Sequence, residues 1–194
     1  MKLLFAASEG APFIKTGGLA DVIYALPNEL ANNEELEISI FLPLYRKIKQ
    51  NPKFELEYLT NFGVPLSWRS QYCGLFEAKH PTKKNITYYF IDNEYYFDRD
   101  TPYGHYDDGE RFAFFSKAVL ESLIHLDFTP DVIHCHDWQT ALIPLWLKAN
   151  YCHMERFQRI KTVFTIHNIE YQGKVPDDFF HEVLGLNPYW FNVA

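Results

Sequence analysis

Lys2-Leu3-Leu4-Phe5-Ala6-Ala7 is a short apolar run at the start of the chain, Ser8 to Gly18 behind it is rich in turn formers, and Leu19, Val22, Ile23, Leu26 and Leu30 then recur at helical spacing. Such an order reads as strand, loop, helix. Pro27 lies inside the helical pattern and predicts a kink or an end near Leu26, since an interior proline costs ~3 kcal/mol. Outward from this unit the alternation repeats. Glu37 to Leu42 reads as a strand stopped by Pro43, and three β-rich runs follow, Phe54 to Phe62, Gln71 to Lys79 and Ile86 to Asp92, with Pro81 and Asn85 bracketing a hairpin. Tyr95 to Gly109 is dense in Tyr, Asp and Gly without periodicity, which predicts a loop long enough to be functional. Glu110 to Leu126 reads as an amphipathic helix carrying Phe112, Phe115, Val119 and Leu123. Asp131 to His136 reads as a buried strand introduced by Pro130, and Trp138 to Asn150 as a helix with Pro144 as a local fault. Lys161 to Ile166 reads as a strand, and Asp178 to Leu184 as a short helix. Strands alternating with helices predict an α/β fold, a doubly wound sheet with a β-rich insertion.

Composition narrows the class. Among 194 residues, 18 Lys plus Arg stand against 25 Asp plus Glu, a formal charge of −7, which argues against a nucleic-acid partner. Hydrophobic residues at 47% and charged ones at 22% fit an ordinary globular chain and exclude disorder. The 18% of aromatics can fill a core or supply platforms for sugar or base stacking. No apolar run approaches the ~18 residues of a membrane span, and the opening run meets Glu9 too soon for a secretory signal; the expected location is cytoplasmic. Cys73, Cys135 and Cys152 are an odd set without paired spacing, so reduced thiols acting as small buried hydrophobes are expected. The stop at Asn192-Val193-Ala194, just behind Tyr189, Trp190 and Phe191, reads as a cut.

Lys15-Thr16-Gly17-Gly18-Leu19-Ala20-Asp21 falls between the first strand and the first helix. Paired glycines there allow close backbone approach, and a helix N-terminus offers free amides to an anion, so the segment reads as a diphosphate cradle with Lys15 adding a full charge. It contains neither the G-x-G-x-x-G dinucleotide pattern nor the G-K-[ST] of a P-loop. A tight turn with a surface lysine, and an Asp21 that only complements the helix dipole, fits the same residues. His134-Cys135-His136-Asp137-Trp138 ends one predicted strand and Ile166-His167-Asn168 ends another. Ligands of open α/β sheets sit outside the carboxyl ends of the strands, so Lys15, Asp137 and His167 are expected to converge. Alternation puts His134 and His136 on one face of their strand and Cys135 on the other.

Ser8-Glu9-Gly10-Ala11-Pro12-Phe13 leading into Lys15 to Val22, then Glu110 to Ser116, His134 to Trp138 and Phe164-Thr165-Ile166-His167-Asn168-Ile169-Glu170-Tyr171-Gln172-Gly173 together resemble bacterial glycogen synthase and plant starch synthase, in the same order along the whole chain. The resemblance implies retaining transfer of glucose from ADP-glucose to the non-reducing end of an α-1,4-glucan such as glycogen, in a GT-B architecture of two Rossmann-like domains. Residues 1–194 would be the amino-terminal, acceptor-side domain, needing its own carboxy-terminal domain for an Arg, a Lys and a carboxylate, and nearly inactive alone. It places Lys15 and the Gly17 and Gly18 amides near the diphosphate, Asp21 close to the reacting sugars, and Asp137 and Trp138 in the glucose or acceptor pocket. His167 would set a backbone carbonyl and an imidazole against the donor glucose, with Asn168, Tyr171 and Gln172 supporting that loop. His167, Asp137 and Asp21 are thus the catalytic candidates; no cofactor and no metal are implied, and neither a nucleic acid nor a membrane. The pattern departs from relatives at Phe97 and Asp108.

Two other readings use the same residues. His134, His136, Asp137 and His167 could build a divalent-metal site of a hydrolase, and Tyr103, Tyr106 and Trp138 could serve a non-catalytic glucan-binding module. Hydrolysis by a carboxylate pair, Asp21 with Asp137, is also open until their separation is known.

Overall fold

The computed structural model describes residues 1–191, so the reading of Asn192-Val193-Ala194 as a cut lies outside the described residues. Its strands are β1 (Lys2–Ala6), β2 (Glu37–Pro43), β3 (Glu57–Leu66), β4 (Arg69–Lys79), β5 (Ile86–Asp92), β6 (Val132–His136) and β7 (Lys161–Thr165), and its helices α1 (Gly18–Leu30), α2 (Arg46–Lys49), α3 (Glu94–Phe97), α4 (Asp108–His125) and α5 (Leu142–Ala149). All the strands join one sheet in the order β3-β4-β5-β2-β1-β6-β7. From β5 to β7 every pairing is parallel. The expected β-rich insertion is no separate body: β3 and β4 pair antiparallel and extend the same sheet from β5.

The path along the sheet decides which face each helix covers. From β1 the chain moves one way to β2, whereas β5 to β6 and β6 to β7 move the other way. Right-handed crossovers then put α1 on one face and α4 with α5 on the opposite one, and α4 packs against α5. Strands covered on both faces are largely apolar, as β2 is from its second residue on, with Ile38, Ile40, Phe41 and Leu42 buried and Ser39 the one polar residue among them. The direction of travel reverses between β1 and β6, and the carboxyl ends of those two strands open the crevice in which such sheets hold ligands.

Local differences from the sequence expectation have local causes. α1 does not end at Leu26: Pro27 sits in its last turn, buried, and the Ala31 amide still reaches the Pro27 carbonyl at 2.9 Å. There the missing N–H forfeits a single bond, to the Ile23 carbonyl. The 95–109 segment is not wholly loop, since the Asn93 side chain accepts the Tyr96 amide at 3.1 Å and caps the one-turn helix α3. The single helix expected over Trp138 to Asn150 divides into a 3-10 turn, Trp138–Thr140, and α5, with Pro144 in the first turn of α5, where amides lack helical partners anyway. α4 is buried on nearly every side rather than amphipathic, and both Arg111 and Lys117 are enclosed. The Arg111 guanidinium is held by the Tyr96 carbonyl at 2.6 Å, the Pro102 carbonyl at 3.1 Å and the Asp108 carboxylate, so a buried charge ties the 95–109 segment to the helix. Cys73 and Cys135 are buried as expected, but Cys152 is exposed in the turn after α5. No helix among the described residues is long and apolar enough to cross a membrane.

Candidate active site

A cleft of about 940 Å³ opens over the carboxyl ends of β1, β6 and β7. The loop after β1 forms its first wall. Glu9 is almost fully buried and accepts both the Thr16 amide, at 2.7 Å, and the Thr16 hydroxyl, at 2.6 Å, which fixes the loop where it enters α1. Gly17 is the N-cap of α1 and no side chain caps the helix, so its first amides are open to the cleft. Neither Gly17 nor Gly18 has a positive φ, and a Cβ on Gly18 would meet nothing within 4 Å. The protein's own packing therefore does not demand glycine at these two positions. What the bare backbone leaves is room for something in the cleft to approach the amides.

The second wall comes from the junctions after β6 and β7. Asp137, directly after β6, adopts φ +59° and ψ 178°, a conformation that side-chain-bearing residues rarely enter. Its amide donates to the Thr165 carbonyl at 2.9 Å. Its Oδ1 accepts the His167 amide at 2.6 Å and lies 3.4 Å from the Asn168 amide, so the carboxylate clamps the loop that carries His167. Trp138 stands edge-on to Phe112 at 5.2 Å, and Gly173, at φ +60°, backs it so closely that a Cβ there would come within 2.2 Å of the indole. Gln172 holds the same loop through the Ile169 carbonyl at 3.0 Å, and Asn168 Oδ1 accepts the Glu170 amide at 3.0 Å.

Beneath this wall three imidazoles run in a row. His134 Nε2 meets the Thr165 hydroxyl at 2.7 Å, the His134 and His136 rings are centred 4.0 Å apart, and the His136 and His167 rings lie edge to edge, within 12° of parallel, with 5.2 Å between centres. His136 Nδ1 and His167 Nε2 share a hydrogen bond of 2.9 Å. Burial first, and then its histidine neighbours, push the His136 pKa down to about 3. His134 is lowered too, by burial and by His167.

Of the residues singled out in the sequence, Gly17, Gly18, Asp137, Trp138, His167, Asn168 and Tyr171 line the cleft. Lys15, Asp21 and Gln172 do not. Lys15 pairs with Asp21 at 2.7 Å on the exposed rim of α1, one residue before Thr16, which lines the cleft. Asp21, held in that pair, does not line the cleft, whereas Asp137 does. Among the described residues no three His, Cys, Asp or Glu side chains are gathered to hold a metal, which removes the geometric basis of the hydrolase reading. Phe97 is a core residue with no face on the cleft, whereas Asp108 lines it.

Sequence reasoning gave Glu9 no role of its own and offered Tyr103 only as a platform of a glucan-binding module. Tyr103 closes the third wall, its hydroxyl 2.7 Å from Ser8 Oγ, and the Gly104 amide donates to Asp108 at 2.8 Å. The long aperiodic segment also marked Tyr103, and Glu9 had no signal beyond its place after β1 in the Ser8 to Phe13 motif.

Comparison with known proteins agrees along the whole chain. Residues 2–194 match the family model described as starch synthase catalytic domain. A glycogen synthase of Exiguobacterium sibiricum is 54% identical over 190 residues, covering 96% of this chain and 38% of that protein. One of Alkaliphilus metalliredigens is 48% identical over 192 residues, covering 99% and 40%. The solved catalytic domain of starch synthase IV from Arabidopsis thaliana, bound to ADP and acarbose, superposes with a TM-score of 0.83 at 30% identity, over 96% of this chain and 37% of that one. The chain thus spans about two fifths of the length of the relatives it matches.

Proposed function

Because the chain belongs to the starch synthase catalytic domain family, we propose that it is the amino-terminal, acceptor-side domain of an α-glucan synthase, which transfers glucose from ADP-glucose to the non-reducing end of an α-1,4-glucan with retention. Its fold matches the amino-terminal half of the GT-B glycosyltransferases. The observation that carries the reading is the facing of two walls: open amides of α1 at Gly17 and Gly18 on one side, and the Asp137-clamped His167 loop on the other. A relative of the same fold binds ADP and acarbose, and a cleft of about 940 Å³ has room for a nucleotide sugar and a glucan end.

In this reading the α1 amides take the diphosphate. Lys15 joins them by leaving Asp21, and that exposed ion pair opposes the move by no more than ~1 kcal/mol. Positive charge grows on the sugar ring as the glycosidic bond breaks, and the backbone carbonyl and imidazole of His167 stabilise it. Asp137 fixes the direction of that carbonyl by holding the amides of residues 167 and 168. Lys15 is the only lysine or arginine in the glycine loop, too little charge for a departing diphosphate, so the reading requires further cations from a carboxy-terminal domain.

Kinetics on the two-domain enzyme test this. Lys15→Ala should raise KM for ADP-glucose and also slow turnover, because Lys15 serves ground and transition state alike. His167→Ala should lower kcat by ~10²-fold or more with ADP affinity nearly intact. Residues 1–194 alone should incorporate no glucose into glycogen. Full-rate transfer by the fragment would refute the two-domain account, and a His167→Ala enzyme with normal kcat and weakened ADP binding would refute the assigned roles.

A further inference from the structure

His136 has no part in the roles above, yet it is fully buried and touches the one cleft residue whose ring matters most to them. It sits at the last position of β6, opposite Thr165 of β7, so its backbone is fixed by the sheet. Its ring is boxed by Phe5, 5.9 Å away and nearly parallel, by His134 at 4.0 Å and by His167 at 5.2 Å. The His167 ring, by contrast, is exposed at the cleft, and the 2.9 Å bond to His136 is the polar contact of its side chain. An exposed imidazole is thereby tied to an immobile one.

The proton in that bond can lie either way. If His167 Nε2 were the donor, His136 Nδ1 would be the acceptor and His136 Nε2 would have to carry the second ring proton. That atom is buried and has no hydrogen-bond partner among the described residues. A buried N–H left without an acceptor is the rarer and costlier error than a buried lone pair left bare. The arrangement with the lower cost therefore puts the proton on His136 Nδ1, donating to His167 Nε2, and leaves His136 Nε2 as the bare lone pair. Burial first, and then the neighbouring imidazoles, disfavour the His136 imidazolium. His167 must then carry its own proton on Nδ1, the less common tautomer in water.

We propose that His136 is a positioning residue for the transfer reaction, fixing the ring plane and the tautomer of His167 so that His167 presents an Nδ1–H donor to the sugar in the cleft. The inference rests on the reading of His167 as the group that meets the donor glucose. A donor suits a sugar hydroxyl oxygen, and a ring tied in plane by one bond to an immobile partner has little further freedom to lose as the substrate binds.

Side-chain ¹⁵N spectra of the imidazoles in the chain test the tautomer without any activity. The expected result is an unprotonated, hydrogen-bond-accepting Nε2 and a protonated Nδ1 on His167. An Nε2–H tautomer on His167 in the unsubstituted protein overturns the proposal. His136→Phe keeps an aromatic ring at the position but deletes the bond, and should return His167 to the Nε2–H-rich mixture of free imidazole; His136→Asn places an amide donor near the same point and should retain the Nδ1–H form. In the two-domain enzyme His136→Phe should lower kcat by about tenfold with KM for ADP-glucose little changed, and His136→Asn should recover most of it. A His167 tautomer and kcat that are the same in His136→Phe and the parent also overturn it, reducing His136 to core packing. Absence of glucosyl transfer in the unsubstituted enzyme would sink the functional reading instead, while the spectra would still decide the tautomer.

Discussion

Asp137 holds a backbone conformation that only glycine enters freely, and a substitution series at this position separates the strain from the clamp. At φ +59° and ψ 178° a residue with a Cβ bears ~1–3 kcal/mol of strain. The carboxylate offsets it by accepting the His167 amide at 2.6 Å, a hydrogen bond to a charged group worth ~1.5–3 kcal/mol; since solvent reaches this pair, the lower end applies. Asp137→Ala keeps the strain and loses the bond, so it should destabilise by about 1.5 kcal/mol. Asp137→Gly loses the same bond but sheds the strain, less the ~0.5–1 kcal/mol that glycine's freedom adds to the unfolded chain. It should therefore be more stable than the alanine variant by about 1 kcal/mol. For a chain of this size that separates their melting temperatures by roughly 2–4 °C. Asp137→Asn retains an oxygen acceptor and tolerates the conformation, and should melt closest to the parent. Thermal denaturation followed by circular dichroism reads the order Asp, Asn, Gly, Ala. Turnover in the two-domain enzyme should not follow it, because glycine restores stability without restoring the clamp on His167. An alanine variant as stable as the glycine one would show that the conformation carries no strain and that the reasoning is wrong.

Gly173→Ala should be severe for a residue on an exposed loop: at φ +60° with its Cβ 2.2 Å from the indole of Trp138, it has to displace the ring from Phe112. The expected loss is ~1–3 kcal/mol from the backbone alone, together with a red shift of tryptophan fluorescence; a variant with unchanged emission and melting would contradict the packing. Stability should also fall early on acidification. Folded His136 takes a proton only near pH 3, whereas the unfolded imidazole takes one near 6.5, so between those values the unfolded state binds more protons and stability drops as pH falls. His136→Phe should flatten the slope of melting temperature between pH 6.5 and 5, leaving the part owed to His134; an unchanged slope would mean that burial does not hold His136 neutral.

The alternation of apolar runs with helical periodicity was enough to foresee the parallel core, because strands covered on both faces are largely apolar and the crossover rule leaves little choice of face. That logic also put Gly17, Asp137 and His167 at one edge, since each follows a strand. It failed at individual side-chain partners, near or far in sequence, which the pattern of elements does not encode. Nothing near Arg111 marks it as the buried tether of residues 96, 102 and 108. Lys15 reads from the sequence as a cation for a diphosphate and Asp21 as a catalytic candidate, and their pairing shows only in the folded geometry. The strain at Asp137 and the proton shared by His136 and His167 were illegible for a different reason, as both arise only when β6 and β7 lie side by side.

The order of strands in the sheet also bears on how the molecule assembles. In the β4–β5 pair Lys79 faces Thr87 and Gly74 faces Asp92, while in the β1–β6 pair Leu3 faces Val132. Each doubling of the intervening loop adds ~0.6 kcal/mol of chain entropy, so joining β1 to β6 costs about 2 kcal/mol more than closing the hairpin. The antiparallel margin of the sheet is therefore the natural nucleus, and the β1–β6 seam closes late. The cleft lies on that seam. Before it closes, the chain is already compact yet has nothing to bind with, so a ligand of the cleft should slow unfolding without hastening refolding, a kinetic asymmetry that stopped-flow traces with and without ADP would read directly.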